Sequence, residues 1–115
     1  MISSDEARMI INKWNQESTL LRCDLVTDGG MRLYLVGKID LLTDDGFGIR
    51  ASDQANWATF PFREVQYYDY GDHRVVARDE GLRDYLADTF EAMLTLRTGY
   101  ALVALGELKK SATQN

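Results

Sequence analysis

Few side chains in this chain are of the kinds that carry out chemistry. His73 is the sole histidine and stands beside Asp72, and Cys23 is the sole cysteine. Histidine, serine and aspartate together could make a hydrolase, because an imidazole held by a carboxylate can take a hydroxyl proton. No G-x-S-x-G segment is present to raise a serine on a strained turn. Asp69-Tyr70-Gly71-Asp72 has turn composition, so His73 reads as a surface turn residue. Cys23 falls in phase with Leu21 and Leu25, which predicts a buried, inert thiol. One cysteine and one histidine do not supply a zinc site. Asp40, Asp44 and Asp45 could gather round a hard cation, but they lack the alternating ligands and closing glutamate of a calcium loop. Asp69, Asp72 and His73 form a second such group, in a stretch where aspartate is at home in turns. Gly46-Phe47-Gly48 is too short to cradle a phosphate and no helix follows it. The expectation is a non-enzymatic protein with no cofactor and no metal.

Residues suited to binding are better represented. Trp57, Phe60, Phe62, Tyr67, Tyr68 and Tyr70 crowd into fourteen positions. Aromatic rings combine area with, for tyrosine and tryptophan, a polar handle, so they recur at interfaces. Trp57, Phe62, Tyr67, Tyr68 and Tyr70 are the candidate interaction residues; the alternative is that the rings cover the core. Charge is uneven as well. Residues 69–91 hold Asp69, Asp72, Asp79, Glu80, Asp84, Asp88 and Glu91 against Arg74, Arg78 and Arg83. Asp84, Asp88 and Glu91 recur at helical spacing and mark a solvated acidic face, or one that meets a basic partner.

The elements that must position these groups follow from periodicity. Ser3 and Glu6 have capping-box spacing, Asp5 and Glu6 suit a helix N-terminus, and Ala7, Ile10, Ile11 and Trp14 form one apolar stripe. From Leu20 the period becomes two. Leu21, Cys23 and Leu25 alternate, then Asp28-Gly29-Gly30 offers a hairpin turn. Met31, Leu33, Leu35, Gly37, Ile39 and Leu41 share one side of a long strand, with Gly37 as its bend. Thr43-Asp44-Asp45-Gly46 makes the next turn, and Phe47, Ile49 and Ala51 the next strand. Trp57–Phe60 forms another, ended by Pro61, which removes a ladder donor. A further strand covers Val65 to Tyr70. Asp79 caps a second helix over residues 80–94, with Leu82, Tyr85, Leu86, Phe90 and Met93 or Leu94 on one face. Residues 92–97 fit helix or strand. A C-terminal strand runs from Tyr100 to Leu108, and the polar tail 109–115 is frayed.

Together these predict one α+β domain over residues 1–115, a bent antiparallel meander or small barrel with two helices. The net charge of −5 speaks against a general nucleic-acid or anionic-membrane binder. The longest apolar run near the C-terminus, Tyr100 to Leu105, is too short to span a bilayer, no secretory signal is visible, and a lone cysteine suits a reducing, cytoplasmic setting. The order of helix, hairpin, long strand bent at a glycine, and the turn Phe60-Pro61-Phe62-Arg63-Glu64-Val65 before another strand resembles the Sm-like family of small bent β-barrels. That resemblance covers residues 5–70. It implies a ring that binds RNA, with Arg22, Arg32, Lys38 and Arg50 as a basic patch. The loop after the bent strand reads Asp40-Leu41-Leu42-Thr43-Asp44-Asp45 and lacks the family's RNA-contacting asparagine. The favoured reading is therefore an interaction domain that meets a protein partner or its own copy as a homo-oligomer. RNA binding and small-ligand binding are the alternatives.

Overall fold

The computed structural model describes residues 2–52, 56–70 and 90–108. Helix α1, Ser4–Glu17, starts at the predicted capping box. The Glu6 amide donates to Ser3 Oγ at 3.1 Å and the Ser3 amide donates back to Glu6 Oε1 at 3.5 Å. Ser18 ends it in the left-handed region at φ 52°. Ala7, Ile11 and Trp14 are buried and Ile10 packs beside them, as their spacing predicts. Among the described residues α1 is the only α-helix and is too short to cross a membrane.

Seven strands follow: β1 Leu21–Thr27, β2 Arg32–Leu42, β3 Gly46–Ala51, β4 Trp57–Pro61, β5 Tyr67–Tyr70, β6 Phe90–Arg97 and β7 Ala101–Leu108. A 3-10 turn, Phe62–Glu64, joins β4 to β5 where the sequence places a short turn. The strands form one antiparallel sheet in the order β4-β3-β2-β1-β7-β6-β5. Its two edges, β4 and β5, are consecutive in the chain and do not pair, so the sheet is bent but not closed. The barrel alternative is therefore corrected. Two further strands separate β5 from β1, and among the described residues no ladder seals the seam.

Residues paired directly across antiparallel strands share a face. Leu21 and Cys23 of β1, Ile39 of β2, Phe47 and Ile49 of β3, Leu94 and Leu96 of β6, and Val103 and Leu105 of β7 form the concave core with Ile11 and Trp14 of α1. Helix α1 lies against β2 and β5, and Trp14 Nε1 donates to Glu107 Oε1 of β7 at 3.1 Å. Strands β6 and β7 are buried on the other face too, through Met93, Thr95, Leu102 and Ala104. That explains the unbroken apolar run at 101–105, since a strand covered on both sides has no reason to alternate.

The same double burial accounts for an error of period. Residues 90–94 belong to strand β6 and not to the end of a second helix. Phe90, Met93 and Leu94 have helical spacing, but Met93 and Leu94 lie on opposite faces of a strand and are both buried. The rest of that predicted helix, 80–89, lies outside the described residues, as do His73, Asp72, Asp84, Asp88 and the tail 109–115.

Two features shape β2. At Gly37, opposite Ala51, an added Cβ would lie against the Arg50 carbonyl group, with its carbon at 2.7 Å and Ala51 Cα at 2.8 Å. The bend is thus a place where two backbones come too close for any side chain. Further on, Ile39 faces Ile49 but Leu41 faces Gly48, so β2 carries one extra residue, a bulge at Asp40. The phase flips there. Leu42 packs on the core and Leu41 is exposed, the reverse of the unbroken alternation expected from sequence. Replacing Gly37 with alanine should cost about 2–3 kcal/mol by overpacking against backbone. A urea titration of Gly37→Ala beside wild type checks this; an unchanged midpoint would mean the strands separate at no cost.

Candidate interaction surface

The sheet divides the aromatic residues between its faces. Trp57, half exposed, lies on the convex face beside Arg50. Its Nε1 donates to Asp40 Oδ1 at 3.1 Å, Arg50 Nε donates to Asp40 Oδ2 at 2.6 Å, and the Arg50 guanidinium lies 5.4 Å from the indole ring centre. Gly48 leaves the space for this indole, since a Cβ there would sit 2.8 Å from Trp57 Nε1. Phe62, by contrast, is a core residue at 8% exposure, packed on Phe47 at 5.8 Å between ring centres. The Arg8 guanidinium covers it at 4.4 Å. Phe62 therefore leaves the candidate interaction set. Tyr67, Tyr68 and Tyr70 form the backbone of β5, and their side chains lie outside what is described. The structure does not bring the five residues together as one surface.

A different surface lies where sequence alternation predicted core. β2 has eleven residues and β3 has six, and their pairing stops at Gly37. Residues 32–35 therefore overhang: among the described residues they pair with β1 alone, whereas the Val36 carbonyl still accepts from the Ser52 amide. Met31 is 62% exposed, Leu33 59% and Tyr34 65%. The mismatch in strand length was the available signal; alternation alone says which residues share a face and not whether that face is covered. Tyr100, also largely exposed, is at the same end, since its carbonyl accepts from the Asp28 amide at 2.9 Å. Beside Tyr100 the unsealed seam opens a cavity of about 120 Å³. Leu25, Phe60, Val65, Leu96 and Val103 line it, and among the described residues Glu64 is its one charged side chain. Arg97 donates to both carboxylate oxygens of Asp28 at 2.7 and 2.8 Å on the rim.

The remaining candidates are engaged in structural contacts. On the convex face Arg22 donates to Asp24 through Nε at 3.0 Å and Nη2 at 3.2 Å and stacks on Tyr34 at 4.1 Å. With Arg50 tied to Asp40, two members of the expected basic patch face carboxylates of their own sheet. Asp40 lies on that face in the bulge, while Asp44 and Asp45 border concavities beside Arg8. Among the described residues no three of His, Cys, Asp and Glu are grouped to hold a metal ion. A scan against family models finds no match to this chain, and comparison with curated proteins and with solved structures finds none either.

Cys23 lies in the core between Leu21 and Leu25, as its phase predicts. Burial, with a smaller push from the neighbouring Asp24 carboxylate, raises its thiol from the ordinary 9.0 to about 12. An aromatic disulfide reagent should leave it untouched until the chain unfolds. Between about 9 and 12 the unfolded thiol has lost the proton that the native one keeps. Its contribution to stability is thus complete below that window and falls as pH rises through it. Urea unfolding from pH 8 to 11 should show a steeper alkaline decline for wild type than for Cys23→Ala; parallel declines would contradict the burial effect.

Proposed function

We propose that this chain is a non-enzymatic interaction domain whose contact surface is the apolar end of the sheet, acting on a protein partner or on its own copy. The observation that carries the reading is the exposure of Met31, Leu33 and Tyr100 at the end of the sheet where Leu25, Phe60, Leu96 and Val103 line an apolar opening. Soluble monomers seldom leave such residues grouped in water, because each contact with a partner removes apolar area at roughly 25 cal/mol per Å². A binding role fits the small size of the cavity too: about 120 Å³ is well under the few hundred Å³ of ordinary small-molecule sites. It accommodates an anchoring side chain better than a metabolite.

A photo-crosslinking residue at Tyr100 tests this, with one at Gln16 on the exposed side of α1 as control. Discrete adducts, with self or with another protein, should form from position 100 in the source cells and not from position 16. Equal labelling from both positions, or none from either, would reject the apolar end as a contact surface.

A further inference from the structure

We propose that the partner for the overhang of β2 is a second copy of the same strand, paired antiparallel about a two-fold axis at Leu33. This rests on the interaction-domain reading and names its occupant. The backbone geometry sets the edge. The Val36 carbonyl accepts from the Ser52 amide at 2.9 Å, so it points toward the β3 side, whereas the Met31 carbonyl accepts from Thr27 on the β1 side. With a period of two, the N–H and C=O of Tyr34 point the same way as those of Val36. There β3 has already ended, and no strand among the described residues pairs with Tyr34 on that side. Met31-Arg32-Leu33-Tyr34-Leu35-Val36 is β-prone and carries a single charge. Natural sheets usually blunt such an edge.

Only one register suits a symmetric pair. An axis at Tyr34 would set the partner's Arg32 against Val36, where Ser52 already sits. An axis at Leu33 brings the partner's Gly30 to that position, and Gly30, at φ 96°, turns the chain away. In this register Leu33 meets its own copy on the concave side, and Met31 meets the partner's Leu35. On the convex side Tyr34, already stacked on Arg22, faces the partner's Arg32, a cation beside an aromatic ring. No like charges are opposed. The contact is self-complementary, so it closes as a dimer and does not propagate.

The register makes the test specific. In a non-hydrogen-bonded antiparallel pair the Cα atoms lie about 4.5 Å apart, within disulfide reach. Under mild oxidation Leu33→Cys should give a covalent dimer, and a mixture of Met31→Cys with Leu35→Cys a mixed one. Met31→Cys alone should give none, because its two copies would lie roughly 13 Å apart along the strands. The buried Cys23 adds no competing thiol. Sedimentation of wild type from about 5 to about 500 µM should show a monomer–dimer equilibrium of the weak class expected for a small interface. Leu33→Lys should weaken it by roughly tenfold or more, through apolar loss and like charges at the axis. Tyr34→Pro, which removes an edge donor but no bond to β1, should do the same, with circular dichroism confirming that both variants fold. A wild type that stays monomeric without crosslinks, crosslinking from Met31→Cys alone, or open-ended assembly would each overturn this pairing. Adducts of Tyr100 with a different protein would then leave the interaction-domain reading standing.

Discussion

The close approach of two backbones at Gly37 is the constraint from which much of the structure follows. With Arg50 and Ala51 packed where a side chain would be, β2 can bend over the core. Leu21, Ile39 and Ile49 then converge beneath α1. The bulge at Asp40 completes the turn. It rotates Leu42 inward and leaves Asp40 on the convex face, where it holds Arg50 and Trp57. These polar contacts are partly exposed and add little to stability. Their effect is to fix the orientation of an indole and a guanidinium that would otherwise be free.

Bending without closing has consequences at both ends of the sheet. At the end where β1 begins, Trp14 of α1 reaches Glu107. At the end where β1 finishes, β2 runs past β3 and the seam between β4 and β5 stays open. The core is therefore well covered on one side and ends in an apolar rim on the other. The same physical deficit, a strand longer than its neighbour, yields both the exposed leucine and the strand edge.

Much of the architecture was legible in the residues. The capping box of α1, its Ala7-Ile11-Trp14 stripe, the strand positions from Leu21 to Tyr70, the turn before β5, the last strand and the burial of Cys23 all follow from local periodicity and turn chemistry. The site was less legible. Phe62 and Trp57 are near neighbours in sequence yet share no surface: Trp57 is half exposed on the convex face, and Phe62, in the 3-10 turn, is buried against Phe47. Exposure of Met31 and Leu33 depends on where β3 stops, which their own pattern does not encode.

What the sequence by itself determined is the set of elements: short-range spacing decides which residues share a face, and capping and turn residues decide where most segments end. Only the tertiary structure decided which faces are covered. Met93 and Leu94, spaced like a helix, became a strand because β5 and β7 pair on either side of it. Leu33, spaced like core, stayed in water because the pairing of β3 with β2 ends at Gly37 and, among the described residues, no other strand brings cover over it. Burial is a property of neighbours distant in the chain, and no local pattern contains them.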